Sequence, residues 1–145
     1  MFLGQYHLVI NGSRSFVIPE PFRKFLADGA YVTRGFEQNL LLMSEQVFQE
    51  VYKRVMALNI ADPLARLLLR LILSNAARLE ISASGELIIP DNLTSFAALE
   101  KEIVLVGQGD YIELWSPVHW IKQSNSLLDI ETNVERFAQL DLALN

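Results

Sequence analysis

The chain contains an internal duplication with a period of about 70 residues. Phe16-Val17-Ile18-Pro19 returns as Leu87-Ile88-Ile89-Pro90. In each copy an apolar segment enters a turn of small polar residues, and the apolar triplet and its proline follow; the turns are 11–14 and 82–85. This period is too long for a solenoid unit, so the duplication predicts two modules that share one core.

The composition limits the class of protein and the cellular compartment to which such a fold can belong. With 145 residues, 51% of them hydrophobic, the chain can bury a substantial core, and the absence of cysteine excludes disulfides and thiolate chemistry. The start does not resemble a signal peptide, and the longest apolar run, 64–73, is much shorter than the ~20 residues that span a bilayer. We expect a cytoplasmic protein without a membrane partner.

Charge and motif content limit the possible functions. The net charge of −5 argues against indiscriminate nucleic-acid binding, although a local basic face is compatible with it. His7 and His119 are isolated, so no metal site is expected. The sequence has no catalytic motif. We therefore expect neither an enzyme nor a cofactor or small-molecule substrate.

The residue pattern predicts an α+β fold. Asn11-Gly12 between apolar runs predicts a hairpin over 6–19. Short helices are expected over 21–27 and 92–98, each after a proline. Four further strands are expected at 31–33, 40–43, 103–106 and 111–115.

Longer helices follow these strands. Ser44 and Ser116 are predicted N-caps. A helix starting at Asp62-Pro63 is apolar around most of its circumference, which predicts burial between the halves or against a neighbouring subunit. A last helix is expected over 130–140, with a capping box formed by Thr132 and Glu135.

These elements predict four segments along the chain. A first module occupies 1–55 and a linking helical segment 56–76. A second module occupies 77–124, and a C-terminal helix or tail occupies 125–145.

With the repeat units laid out, the chain resembles the MraZ family of bacterial transcriptional regulators. The resemblance lies in Phe2-Leu3-Gly4, 32–36, Asp62-Pro63, 102–107 and 112–115. It implies two tandem pseudo-symmetric AbrB-like swapped-hairpin β modules that interleave into one core with flanking helices, and several chains that close into a ring. It further implies a nucleoid-associated repressor of its own cell-division and cell-wall gene cluster, bound to direct repeats in the promoter.

The chain departs from this family at the segment that would contact DNA. The family signature is Asp-x-x-x-Arg before each apolar triplet. Asn11 and Ser15 occupy the two signature positions in the first half, and Ser82 and Glu86 occupy them in the second. An aspartate and arginine at this spacing can form an ion pair that fixes a loop and holds a cation. That pair is missing from both halves, and Glu86 places an anion where the family has a cation.

Six residues are candidate DNA contacts, all in the first half: Arg14, Asn11, Ser13, Ser15, Arg23 and Lys24. Arg14, one position before the signature arginine, is expected to replace it as a phosphate donor, although alternation along a strand would direct it to the opposite face. With Arg34 the cations would form a basic edge. They could equally be ordinary solvated charge, and turn chemistry alone explains Asn11-Gly12.

Other candidates have structural alternatives. Tyr111, Trp115 and Trp120 could form a ligand cage, but packing in a core or interface is the favoured interpretation. Arg66 and Arg70 could bind carboxylates of another subunit or extend from an apolar helix into water.

Three functions are compatible with these observations. The first is an MraZ-like regulator that binds promoter repeats through the loops of an oligomeric ring. The second is a family member that has lost DNA binding and acts as an oligomeric scaffold or partner-binding protein. The third, an enzyme or small-molecule sensor in the central pore, has the least support.

Overall fold

A computed structural model describes residues 1–140. The strands are β1 (Gln5–Val9), β2 (Ser15–Val17), β3 (Ala30–Arg34), β4 (Leu40–Ser44), β5 (Ala77–Leu79), β6 (Glu86–Ile88), β7 (Glu102–Gly107) and β8 (Tyr111–Trp115). The helices are α1 (Glu20–Arg23), α2 (Glu45–Met56), α3 (Pro63–Leu73), α4 (Asp91–Phe96), α5 (Pro117–Asn125) and α6 (Ile130–Phe137). Short 3-10 turns cover Ser126–Leu128 and Ala138–Leu140. The α+β prediction is confirmed. Residues 141–145 of the predicted C-terminal segment lie outside the described residues.

The six-stranded antiparallel sheet mixes strands from both halves. Its order is β1-β7-β8-β4-β3-β5. The first strand of each half joins the hairpin of the other half: β1 pairs with β7, and β5 pairs with β3. At the centre β4 pairs with β8, with Leu42 opposite Ile112. The repeat positions are thus arranged around an approximate two-fold axis between the central strands.

A two-stranded ribbon repeats this exchange. β2 and β6 pair antiparallel, with Phe16 opposite Leu87 at the centre. Both of these side chains are buried in the core. Because successive side chains of a strand face opposite sides, Ser15, Val17, Glu86 and Ile88 occupy the other face of the ribbon.

The predicted hairpin over 6–19 is wrong in its pairing. The turn forms, but β1 continues into the large sheet and β2 into the ribbon. The positive backbone φ also lies at Arg14 (61°) and not at Gly12. Asn11-Gly12 therefore does not form a two-residue hairpin turn. The hairpin pattern identified the turn but not the partners of its strands.

The main core lies between the large sheet, the ribbon and the two short helices. Its fully buried side chains come from both halves, and include Phe16, Ile18, Leu40, Leu87, Ile89 and Leu114. A smaller cluster contains Val104, Val106, Trp115 and Trp120. The core is one unit because the exchanged strands contribute to it from both halves.

The predicted helix starts at Ser44, Asp62 and Ser116 are confirmed. Ser44 and Ser116 accept hydrogen bonds from the backbone N–H of Val47 and His119. Asp62 caps α3 in the same way. The capping box of the last helix is wrong, because Asp129 and not Thr132 accepts the capping bond. α1 and α4 are also shorter than predicted.

The apolar helix α3 is buried on one side only. It contacts α2 and β3, and Ala65 and Ile72 are buried there. Thr33 Oγ1 donates to the Ile72 carbonyl at 2.6 Å, which fixes the end of the helix to the sheet. Leu64 and Leu67 are exposed, so in the single chain the predicted burial on several sides is not observed. Within residues 1–140 no helix combines the length and the apolar character needed to cross a bilayer.

Candidate nucleic-acid interface

The first loop, Asn11–Ser15, is closed by its own hydrogen bonds. The Asn11 backbone N–H donates to the Ser15 carbonyl, and the Asn11 side-chain oxygen accepts from the backbone N–H of Ser13 and Ser15. It also accepts from the Ser13 hydroxyl at 2.8 Å. An asparagine that satisfies several loop donors fixes a turn. The side-chain amide oxygen of Asn11 is therefore occupied by hydrogen bonds within the loop. This explains why the position needs a side chain with an oxygen acceptor.

The second loop, Ser82–Glu86, repeats this geometry. The Ser82 backbone N–H donates to the Glu86 carbonyl, and Ser82 Oγ accepts from the Glu86 backbone N–H at 3.0 Å. Gly85 has a positive φ of 86°, as Arg14 does in the first loop. A serine thus replaces the asparagine with a shorter side chain, and the backbone path is kept.

The loops lie at opposite ends of the ribbon and each contacts the other half. The Ile89 N–H donates to the Arg14 carbonyl, and the Ile18 N–H donates to the Gly85 carbonyl. Arg14 also forms an ion pair with Asp91, the first residue of α4. Side-chain exposure is 52% for Arg14 and 70% for Asp91, so water and salt screen this pair. The sequence prediction missed Asp91.

The remaining predicted cations differ in availability. Arg23 Nε donates to the Ile18 carbonyl at 2.9 Å, and its guanidinium covers Gly85 of the second loop. Arg34 stacks on the Phe96 ring at 3.7 Å, with its Nε buried. Lys24 is exposed, with its Nζ 5.0 Å from the centre of the Phe25 ring. Arg14 and Lys24 are therefore the predicted cations that face solvent most openly.

The predicted polar contacts also separate into two groups. Asn11 and Ser13 are exposed on the first loop beside Arg14. Ser15 is only 2% exposed, and its hydroxyl has no hydrogen-bond partner among the described residues. Its repeat counterpart Glu86 is exposed. The structure thus brings Asn11, Ser13 and Arg14 together at one surface and leaves the Ser15 side chain inside.

A third feature lies on the central strands. Glu113 of β8 is half-buried beside an apolar cavity of about 250 Å³, and it accepts hydrogen bonds from Trp115 Nε1 and Asn39 Nδ2. Burial raises the pKa of Glu113 above its ordinary value; the Trp115 bond opposes this rise, and the nearby Glu37 carboxylate adds to it. Trp115 and Trp120 are buried against each other, which confirms the packing interpretation for the two tryptophans, whereas Tyr111 is half-buried and lines the cavity.

Fold and loops together define the class of protein. It is a small α+β protein whose duplicated halves exchange strands and present two equivalent surface loops. Residues 72–141 match the family model described as "MraZ protein, putative antitoxin-like".

Relatives agree with this match over most of the chain. The chain is 38% identical over 129 residues to the transcriptional regulator MraZ of Herpetosiphon aurantiacus, an alignment that covers 89% of this chain and 90% of the relative. It is 35% identical over 139 residues to that of Roseiflexus castenholzii, covering 96% and 95%. It is 33% identical over 127 residues to that of Thermomicrobium roseum, covering 88% and 89%. The chain belongs to the MraZ family.

Proposed function

We propose that this chain is a transcriptional regulator that binds promoter DNA, with Arg14 of the first loop as its principal phosphate contact. The observation that carries the proposal is an exposed arginine on a loop whose backbone is closed by its own hydrogen bonds. A cation held on a fixed loop loses little conformational freedom when it meets a phosphate. The relatives are named transcriptional regulators, which supports the same role.

The proposed partners of Arg14 are its neighbours on the first loop and the adjacent cations. Asn11 Nδ2 and the Ser13 hydroxyl would donate to phosphate or base edges, and Lys24 and Arg23 would add positive potential. Arg23 would first have to leave the Ile18 carbonyl. Ser15 would contribute through its backbone N–H and carbonyl, which close the loop, since its side chain is buried.

The wider proposal concerns assembly. We place two AbrB-like swapped-hairpin modules, 1–55 and 77–124, in each chain, and several chains in a ring. The exchange of β1 and β5 between the two hairpins supports this assignment. The ring would present one first loop per chain to successive promoter repeats of a cell-division and cell-wall gene cluster, as a repressor. Linking several weak contacts multiplies their affinities.

Fluorescence anisotropy tests the DNA contact. Wild type, Arg14→Ala and Lys122→Ala would be titrated onto a promoter fragment with tandem repeats and onto a scrambled fragment, over a series of salt concentrations. We expect Arg14→Ala to weaken binding about tenfold or more and to lower the salt slope by about one for each loop engaged. Lys122→Ala removes an exposed cation from α5, which packs on β7, and should bind like wild type.

A second candidate function is favoured by one observation. The second loop presents the Glu86 carboxylate and has no cation of its own, and Asp91 partly neutralises Arg14. A scaffold that has lost DNA binding would have these properties. Equal or absent binding to both fragments, with the assembly intact by light scattering, would select the scaffold and overturn the regulator.

A further inference from the structure

The last part of the described chain carries an unusually apolar surface. The C-terminal segment, residues 127–140, contains six large apolar side chains that are between 55% and 76% exposed: Leu127, Leu128, Ile130, Val134, Phe137 and Leu140. Within α6, Ile130, Val134 and Phe137 are spaced to share one face of the helix. Exposed apolar side chains grouped in this way are typical of interaction sites.

Helix α6 is held at its start but not covered. Asp129 caps its first turn, and Asn133 Nδ2 donates to the Ser126 carbonyl at 2.6 Å. These bonds fix the direction of the helix relative to α5. They leave its apolar face exposed in the single chain.

A second apolar surface lies on the other part of the sheet. The α2–α3 surface, residues 52–70, also has six large exposed apolar side chains: Tyr52, Met56, Leu58, Ile60, Leu64 and Leu67. Helices α2 and α3 pack on β3 and β4, whereas α5, which leads into the C-terminal segment, packs on β7. In the sheet order β8 separates these two groups of strands.

The two surfaces carry opposite charge. The C-terminal segment has the acidic residues Asp129, Glu131 and Glu135 and the single cation Arg136. The α2–α3 surface has the cations Lys53, Arg54, Arg66 and Arg70 and the single anion Asp62, which caps α3. Arg66 is engaged with the carbonyls of Ile60 and Ala61.

These charges do not pair with each other within one chain. The ion pairs found within residues 1–140 join Arg14 to Asp91 and Arg78 to Glu45 and Glu80. Lys53, Arg54 and Arg70 thus have no carboxylate partner in that part of the chain, and the same holds for Glu131 and Glu135 with respect to cations. Two apolar surfaces of opposite charge complement each other in both respects.

We infer that the C-terminal segment of one copy of this chain docks on the α2–α3 surface of a second copy. The apolar side chains would be buried against each other, and Glu131 and Glu135 would face Arg54 and Arg70. Because the two surfaces differ, the contact is heterologous: each copy uses its segment toward one neighbour and its α2–α3 surface toward the other, and such a contact closes into a ring or extends as a filament. This inference rests on the ring in the proposed function and names the surfaces that form it.

A pair of charge-reversal variants tests the docking. The segment variant carries Glu131→Lys and Glu135→Lys, and the surface variant carries Arg54→Glu and Arg70→Glu. In either variant alone every contact between copies joins like charges. Light scattering should therefore show a smaller mass than for wild type, with association weakened about tenfold or more. All four positions are exposed or on helix surfaces, so circular dichroism and the melting temperature should change little.

Mixing supplies the decisive measurement. In an equimolar mixture, the basic segment of one variant meets the acidic surface of the other, and the reverse contact is also complementary. The mixture should reassociate to a mass well above that of either variant alone, and to the wild-type mass when the ring has an even number of subunits, because the two variants must alternate. A control with Lys101→Glu and Lys122→Glu, two exposed cations outside the α2–α3 surface, should assemble like wild type.

Three results would overturn the inference. They are a wild-type protein that is monomeric, single variants that assemble like wild type, and a mixture that stays dissociated. The first also removes the proposed ring. The second leaves the ring in place on different surfaces, and the third leaves the ring in place but rejects the pairing of these two surfaces with each other. DNA binding measured on a fragment with one repeat tests Arg14 independently of assembly.

Discussion

The first and second loops have the same backbone and opposite surface chemistry. Each is closed by hydrogen bonds between its first and fifth residues, and each has a positive φ at its fourth residue. The first loop presents Arg14, and the second presents Glu86 and a glycine at the Arg14 position. Duplication has kept the features that define the backbone path and changed the charges that a ligand would meet.

This difference teaches which part of a repeated site is constrained. The loop must deliver the apolar triplet into the shared core, and a displaced triplet would expose Phe16 or Leu87. The outward-facing side chains of the loops do not contribute to the core, so their identity is not constrained by it. Electrostatics can therefore diverge in one copy while the fold stays intact, and the proposed DNA contact uses one loop per chain.

The central strands show the same divergence in the interior. Leu41 of β4 lies directly opposite Glu113 of β8, at the equivalent repeat position. One half thus has an aliphatic side chain where the other has a half-buried carboxylate with a raised pKa. At this position the two halves therefore differ in polarity and in the presence of a titratable group.

The largest expected effect tests whether the two halves are equally important to the core. Phe16→Ala and Leu87→Ala each remove a side chain that is at most 2% exposed, opposite each other in the ribbon. We expect losses of about 3–5 kcal/mol for Phe16→Ala and about 2–5 kcal/mol for Leu87→Ala in the free energy of unfolding. Urea denaturation measures both. A loss below about 1 kcal/mol in one variant would mean that the halves do not share one core.

The next effect concerns the fourth residue of each loop. Gly85→Ala places a Cβ at a φ of 86° and 2.5 Å from Arg23 Nε, which must then leave the Ile18 carbonyl. We expect a loss of about 1–2 kcal/mol. Arg14→Gly removes a side chain from the same backbone conformation and should cost less than this. Thermal unfolding compares the stability of the two variants. An equal loss of stability in both would contradict the inference that residues 14 and 85 occupy equivalent left-handed positions.

A smaller effect is expected on DNA affinity when the charge next to the first loop is changed. Asp91→Asn removes the anion paired with Arg14, so the arginine no longer has to leave a carboxylate to reach a phosphate. Exposed ion pairs contribute about 0–1 kcal/mol, which corresponds to at most about a fivefold gain in DNA affinity. Fluorescence anisotropy measures the DNA affinity of Asp91→Asn. The control is the double variant Asp91→Asn with Arg14→Ala, compared with Arg14→Ala alone, because without Arg14 the gain in affinity should fall markedly. Weaker binding by Asp91→Asn would show that the pair supports the loop shape.

The smallest effect distinguishes Glu113 from Leu41. A carboxyl group whose pKa is raised by folding holds its proton more tightly in the folded state. Its stabilising contribution is therefore present below about pH 4.5 and is lost as the pH rises through the raised pKa. Glu113→Gln should remove this loss, so its stability relative to wild type should increase with pH over that window. Urea denaturation at a series of pH values measures this, and a difference between Glu113→Gln and wild type that stays constant with pH would contradict the raised pKa.

The sequence predicted the elements of this fold well because their signals are local. Caps at Ser44, Asp62 and Ser116 act over three or four residues, and the strand patterns follow from alternation. The partners of the strands have no local signal. β1 and β2 are joined by a turn typical of a hairpin, yet they belong to two different sheets. The reason is that apolar residues from both halves are buried in one core.

The candidate site was only partly predictable for the same reason. The repeat identified both loops, and the turn chemistry of Asn11 and Ser82 follows from their side-chain oxygens. The Arg14–Asp91 pair joins residues from different halves, so only the ribbon pairing brings them together. Arg14 has a positive φ and lies before β2 begins, so strand alternation does not determine its direction, although it is exposed where Ser15 is buried.

The exchange of β1 also affects the order of events during synthesis. Gln5 pairs with Val106, so the first strand made must wait for about a hundred further residues before its partner exists. At a translation rate of about 5–20 residues per second, this wait lasts roughly 5 to 20 s. Once residue 44 has been made, the nascent chain contains both strands of the β3–β4 hairpin, while β1 still lacks its partner β7 and keeps free backbone donors and acceptors. Such an edge can pair with another nascent chain, which makes synthesis the stage at which this fold is most exposed to aggregation.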